Sequence, residues 1–225
     1  MSAGHIVACG GDGLLAEPGA FERYVFGLTG KERPSLLYLP TATGDAADAI
    51  ATVEARFPDA TTLRLFWLSE DLVDPRALAL EHDVILVGGG NTANMLAVWR
   101  VHGVDRVLRE AWERGAVLVG ASAGMICWFE CSVTDSFGAL APLHDGLGFL
   151  SGSACPHYDG EAERRPAYTR LVQEGSFPPG YAADDGAALH FSGTELAECV
   201  AATPGASAYW VGPDGEIPLP TRLLD

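Results

Sequence analysis

The chain has 225 residues, a formal net charge of -16, and a composition 48% hydrophobic and 20% charged. That is the profile of a packed globular protein of ordinary single-domain size, not of a disordered chain. The acidic balance argues against a nucleic-acid partner, whose phosphates demand a basic face, and against an anionic membrane surface. The five cysteines (Cys9, Cys127, Cys131, Cys155 and Cys199) are odd in number and several lie in apolar runs. This fits reduced thiols in a cytosolic protein better than a disulfide framework. The N-terminus lacks the charged and apolar regions of a secretory signal, and no apolar run reaches membrane-spanning length. The expectation is a single-domain, soluble, cytoplasmic protein.

The first predicted strand, His5 to Cys9, ends in the glycine turn Gly10-Gly11-Asp12-Gly13. That turn lacks the full dinucleotide fingerprint and the P-loop lysine, so it reads as a tight turn and not as a phosphate cradle. A helix is predicted over Ala20 to Leu28 and a second strand over Ser35 to Pro40. A helix follows over Gly44 to Phe57, with Asp45 near its N-terminus as a candidate cap. Thr61 to Leu68 reads as a third strand. Val84 to Val87 is a fully apolar fourth strand, as in a parallel sheet covered on both faces. It runs into Gly88-Gly89-Gly90-Asn91-Thr92. A helix with Met95, Leu96, Val98 and Trp99 on its apolar face comes next, then another over about Val104 to Arg114.

Val117-Leu118-Val119 leads into Gly120-Ala121-Ser122-Ala123-Gly124, and an apolar, helix-like pattern continues through Met125, Ile126, Cys127 and Trp128. A strand that turns sharply into a helix through Gly-x-Ser-x-Gly is the pattern of a nucleophile elbow. The same pentapeptide also suits an ordinary glycine-rich strand-to-helix turn. On a helix continued through this stretch, Cys127 and Cys131 share a face. No Cys or His set has convincing metal-ligand spacing, and no metal or cofactor is expected. Thr134-Asp135-Ser136 falls in a loop-like stretch reaching Gly148. Cys155-Pro156-His157-Tyr158-Asp159 and the charged segment Glu161 to Arg165 follow, then a helix over Ala167 to Glu174. Short β-type runs at Ala187 to Phe191, Cys199 to Ala202 and Ala208 to Val211 suggest an antiparallel meander at the sheet edge. The alternation predicts an α/β fold, a doubly wound and mostly parallel sheet, with ligands at the carboxyl ends of its strands.

A nucleophilic serine needs a base within hydrogen-bond reach, and the base needs an orienting acid. Of the six histidines, His5, His82 and His102 sit beside element ends remote from the elbow, and His190 lies within a β run. His144 remains a candidate. His157, after a strand and a proline and in a polar loop, is the preferred base. The acid candidates are Asp135, Asp159, Asp184 and Asp185. Asp135 is preferred because it gives the chain order Ser, Asp, His. The backbone N–H of Ala123 suits an oxyanion hole, and the Gly88-Gly89-Gly90 turn can supply a second donor. The alternative role for that turn is a plain βα connection capped by Asn91-Thr92.

Val87 to Thr92, Gly120 to Phe129, Thr134-Asp135-Ser136 and Pro156-His157-Tyr158, in this order, resemble the S51 serine peptidases, the family of dipeptidase E and cyanophycinase. Ala183 to Leu189 adds to the likeness, which runs from about Ile6 to Val211. The resemblance implies a class I glutamine-amidotransferase-like fold with serine in place of cysteine. It implies a triad of Ser122, His157 and Asp135, with Glu130 and Glu161 as further acids, and oxyanion donors at Gly90 and Ala123. Gly89 and Asn91, in the same turn, are assigned to substrate binding. Dipeptidase E holds its substrate's aspartyl carboxylate with an arginine after the catalytic histidine. Arg164 is the best match and Arg165 the next, at a shorter spacing than in dipeptidase E, and a guanidinium fork suits a carboxylate. The expected activity is hydrolysis of small peptides, such as dipeptides with an N-terminal aspartyl residue, without a cofactor. A non-peptide amidase or esterase and a silent binding module are the rivals. The expected partner is a small peptide substrate, with a homodimer left open.

Overall fold

The computed structural model describes residues 4–11, 13–16, 19–66 and 73–225. Short apolar runs punctuated by glycine build its centre. β1 (His5–Cys9) is followed by α1 (Ala20–Leu28), β2 (Leu36–Leu39), α2 (Ala47–Arg56) and β3 (Thr61–Thr62). α3 (Pro75–Glu81), β4 (Val84–Val87), α4 (Thr92–His102), α5 (Val104–Glu113), β5 (Val117–Ala121) and α6 (Ala123–Ile126) come next. β1, β5, β4, β2 and β3 lie side by side in parallel, in that order.

The strands are buried on both faces, and their side chains alternate between two cores. Ile6, Leu37, Ile85 and Leu118 point into one core, with Trp99, Leu108 and Met125 from the helices. Val7, Leu36, Val84 and Val119 point into the other, against Phe21 and Val25 of α1 and Val53 of α2. α3 has a local cause that the sequence reading passed over: Asp74 caps it by accepting from Arg76 N at 2.9 Å, and Pro75 opens it.

Four expectations change. The helix after β2 begins at Ala47. Asp45 does not cap it; with φ of 58°, its Oδ2 accepts from Leu65 N and Phe66 N at 2.6 and 2.8 Å. The third strand is two residues long where described, and Trp67 and Leu68 lie outside the described residues, as does Asp12 of the first glycine turn. The elbow helix is a single turn that ends at Ile126, because the chain leaves as β6 (Phe129–Thr134). Cys131 therefore sits on a strand and shares no helix face with Cys127. All five cysteines are unpaired, four of them buried.

The largest change is a second sheet. β6, β7 (Ala141–Leu143), β8 (Leu150–Cys155), β9 (Gly180–Ala183), β12 (Ala208–Gly212) and β13 (Gly215–Leu219) form it, in the order β13-β12-β9-β8-β6-β7. The predicted edge meander is instead divided between the sheets. β10 (Ala187–Ser192) pairs antiparallel with β1, and β11 (Glu195–Ala201) and β14 (Thr221–Leu223) extend the main sheet beyond it. Phe129, Phe149, Leu150 and Ala183 carry the second sheet onto the main core. Its other face packs on α7 (Arg164–Gln173) through Tyr158, Tyr168 and Phe177.

Candidate active site

Three turns at the carboxyl ends of strands meet where the two sheets adjoin. At the end of β5 the backbone reverses through Ser122, with φ of 56° and ψ of -114°. A residue with a side chain rarely adopts a positive φ, so the turn holds local strain. Packing enforces it. A Cβ on Gly120 would collide with Gly124 O, and one on Gly124 with Val87 O, so both flanking glycines are needed for β5, α6 and β4 to approach this closely. The elbow expected from the sequence is present as backbone geometry.

The second turn carries the base. His157 follows β8 and Pro156, also at positive φ, 50°. Its N–H donates to Gly10 O at 3.2 Å, and Tyr158 N donates to Ala183 O at 3.1 Å, which ties this turn to both sheets. His157 Nδ1 lies 2.6 Å from Asp185 Oδ1. Asp185 is in the tight turn from β9 to β10, the point where the chain crosses from the second sheet to the main one. Its N–H donates to Asp159 Oδ1 at 2.8 Å. Gly11 and Gly160 close around its carboxylate so tightly that a Cβ on either would collide with it.

The acid beside His157 is therefore Asp185 and not Asp135. Asp135 lies past the end of β6, exposed, with its Oδ2 3.7 Å from Arg164. The chain order was the misleading signal, since sheet pairing brings a residue 28 positions downstream to the imidazole. Asp184 is buried, and burial raises its pKa; its Oδ2 accepts from Ser207 N and Tyr209 OH. Glu130 accepts from Gly152 N, and Glu161 is held by Arg164, whose guanidinium keeps the Glu161 carboxyl below its usual range. His144 sits edge-on to Phe177, with Nδ1 3.8 Å from Cys131 Sγ. The one advance sign of Asp185 was the Ala183 to Leu189 motif, an acidic pair and a glycine between two apolar runs.

Ser122 Oγ has no hydrogen bond among the described residues, and His157 Nε2 is likewise uncommitted. Both line one cavity of about 280 Å³. Catalytic hydrogen bonds in ligand-free sites commonly tighten only when substrate arrives. The cavity continues past Gly88 and Gly89 to Leu15, Tyr38, Thr43 and Thr52, none of which carries a local sequence signature. Gly89 stands against Ser122: a Cβ there would be 3.4 Å from Ser122 Cβ. The N–H groups of Gly88 and Asn91 are taken by Leu39 O and Ala42 O. No hydrogen bond among the described residues takes those of Gly89, Gly90 or Ala123. Asn91 caps α4 through Asn94 N and donates its Nδ2 to Ser136 O, so its side chain is committed to structure.

Arg164 and Arg165 do not line this cavity. Arg164 is 3% exposed, forked onto Glu161 and bonded to Val133 O. Arg165 is paired with Glu216 and lies over the rings of Tyr158 and Tyr209. Among the described residues no helix is long and apolar enough to cross a membrane.

The model of peptidase family S51 matches residues 10–199. The uncharacterized peptidase YgaJ of Bacillus subtilis (strain 168) is 45% identical over 227 residues, covering 97% of this chain and 98% of that protein. Peptidase E of Haemophilus influenzae (strain PittGG) is 31% identical over 140 residues, 57% of this chain and 58% of that one. In fold, the crystal structure of a peptidase from an acI-B1 Actinobacterium superposes with a TM-score of 0.73 at 18% identity, covering 98% of this chain and 95% of that one.

Proposed function

The chain belongs to peptidase family S51, and on that premise we propose that it cleaves small peptides by serine catalysis through Ser122, His157 and Asp185. Ser122 Oγ attacks the scissile carbonyl carbon while its proton passes to His157 Nε2. The tetrahedral intermediate collapses, the C–N bond breaks, and His157 returns the proton to the leaving amine. Water then hydrolyses the acyl-serine ester, releasing the carboxylic acid and restoring the hydroxyl. Asp185 fixes the imidazole with Nδ1 protonated, which leaves Nε2 as the base. The oxygen that becomes negative is received by Ala123 N–H and by the Gly89–Gly90 turn, whose donors are not engaged elsewhere.

The observation that carries this reading is the 2.6 Å His157–Asp185 contact in the wall of the cavity that also exposes the elbow serine. We read the main sheet as the class I glutamine-amidotransferase type, with serine at its elbow. Five unpaired cysteines, four of them buried, suit a reducing cytoplasm. A fluorophosphonate probe should label Ser122 in the native protein, with labelling lost in Ser122→Ala and strongly slowed in His157→Ala. Labelling at another residue, or full peptidase activity in Ser122→Ala, would overturn the assignment.

A further inference from the structure

We infer that the residue on the acyl side of the scissile bond has a neutral, apolar side chain, and that the cavity beside Ser122 selects against an aspartyl one. This rests on the serine-peptidase reading and adds the substrate class to it.

Among the described residues the cavity walls carry no fixed charge. Beyond the catalytic pair and the backbone turns their side chains include Leu15, Tyr38, Thr43, Ala49, Thr52 and Leu86. The one titratable group among these is the Tyr38 phenol, which burial and the nearby Asp45 carboxylate hold in its neutral form. An aspartyl carboxylate placed here would lose its hydration and gain no cation, and desolvating an unpaired charge is costly. Asp45 adds a repulsion, and the net charge of -16 extends it over the molecule.

The two arginines that could have reversed this are engaged elsewhere. Arg164 is buried in its Glu161 fork, and Arg165 is paired with Glu216. Freeing either would leave a carboxylate partner unpaired. We place the cavity on the acyl side because Tyr38 of β2 and Ala49 and Thr52 of α2 wall it beside Leu86 and Val87 of β4 and the glycine turn proposed to receive the acyl oxygen. A volume of about 280 Å³ is at the small end of ligand pockets. It has room for an aliphatic side chain such as that of leucine or methionine.

The test is a panel of Xaa-Leu dipeptides, with Xaa as Leu, Met, Ala, Asp or Lys, hydrolysed by the wild-type protein and by Thr52→Arg. Thr52 is exposed on α2, so the variant is expected to fold, which its circular dichroism and melting temperature will check. Wild-type kcat/KM for Leu-Leu or Met-Leu should exceed that for Asp-Leu by about tenfold or more. Thr52→Arg should shift the Asp-to-Leu ratio towards Asp by a similar factor. Equal or better hydrolysis of Asp-Leu by the wild type overturns the inference. So does a ratio that Thr52→Arg leaves unmoved in a folded protein. Labelling of Ser122 by fluorophosphonate without cleavage of any neutral dipeptide counts against the side-chain inference alone. Neither labelling nor cleavage counts against the serine reading itself, and this inference falls with it.

Discussion

Two histidines in this molecule engage their ring nitrogens in opposite ways. His190, on β10, is 5% exposed and has both ring nitrogens engaged. Tyr24 OH donates to Glu198 Oε1 at 2.8 Å, so it must accept from His190 Nδ1–H at 2.6 Å. His190 Nε2 is then an acceptor, 2.9 Å from His5 Nδ1, which carries the proton there. The chain of protons runs from His5 through His190 and Tyr24 to a carboxylate that Arg222 also holds. His157 Nδ1 meets a carboxylate directly, where that of His190 reaches one through Tyr24, and the His157 ring lines a cavity. A ring with both nitrogens satisfied organises the fold, whereas one with a nitrogen left over, on a cavity that also exposes a strained serine, is open to the proposed proton transfer. Both ionisable clusters sit at seams between elements, so position alone does not separate them. The count of unsatisfied atoms does.

The sharpest way to break this contrast is to remove the groups that make it chemical. Ser122→Ala should lower kcat/KM for peptide hydrolysis by about 10⁴-fold or more. The melting temperature should stay near the wild-type value, because the lost hydroxyl has no hydrogen bond among the described residues. His190→Gln should leave kcat within about threefold, a change on the scale of 0.6 kcal/mol. If both variants abolish hydrolysis, the distinction between the two histidines fails.

Next in size is the acid. Asp185→Asn should cost about 10³- to 10⁴-fold in kcat, through loss of the correct imidazole tautomer. Asp135→Asn should cost less than about tenfold, since Asp135 is exposed and meets Arg164 only at 3.7 Å, away from the imidazole. The reverse ranking, measured on one substrate, would restore the acid suggested by chain order.

A smaller effect should follow from the carboxylate's cradle. Gly160→Ala puts a methyl group against Asp185 Oδ2 and must displace it. A shift of this kind should lower kcat by about 10²-fold, with KM less affected and circular dichroism unchanged. Unaltered kcat in a folded Gly160→Ala would mean that the acid is not held by its surroundings.

The smallest effect concerns the structural histidine and is read in stability. Burial first, and then the charge of His5, lower the pKa of His190 from 6.5 to about 4. Between those values the unfolded chain binds a proton that the folded state refuses. Its contribution is therefore complete above pH 6.5 and is lost as pH falls towards 4. His190→Gln should destabilise the protein by about 1–3 kcal/mol at neutral pH, by breaking the hydrogen-bond chain. It should also flatten the fall of melting temperature between pH 6.5 and 4. A melting profile over that interval identical to the wild type would remove His190 as its source.

Much of this was legible in the residues. The parallel strands are apolar runs buried on both faces, and α1 begins and ends where the periodicity of Ala20 to Leu28 places it. The elbow is written in Gly120, Ser122 and Gly124, because only small residues allow β4, β5 and α6 to approach so closely. His157 follows from its place after a strand and a proline. These features depend on neighbours within a few positions, where turn chemistry and side-chain size act directly.

The acid, the pocket and the second sheet were decided only by tertiary structure. Asp135 and Asp185 look alike in sequence. What separates them is that β8 pairs with β9, so that the turn after β9 delivers Asp185 to the imidazole. Arg164 looked like a substrate anchor until the fold placed Glu161 and Val133 O around it. The uncharged cavity joins side chains from Leu15 to His157, which no local pattern connects. Hydrogen bonding across strands, and the seating of one sheet on the other, set those distances. The sequence by itself determined where a serine at an elbow and a histidine after a proline stand; the packing of two sheets determined which acid meets that histidine and which side chains line the cavity beside that serine.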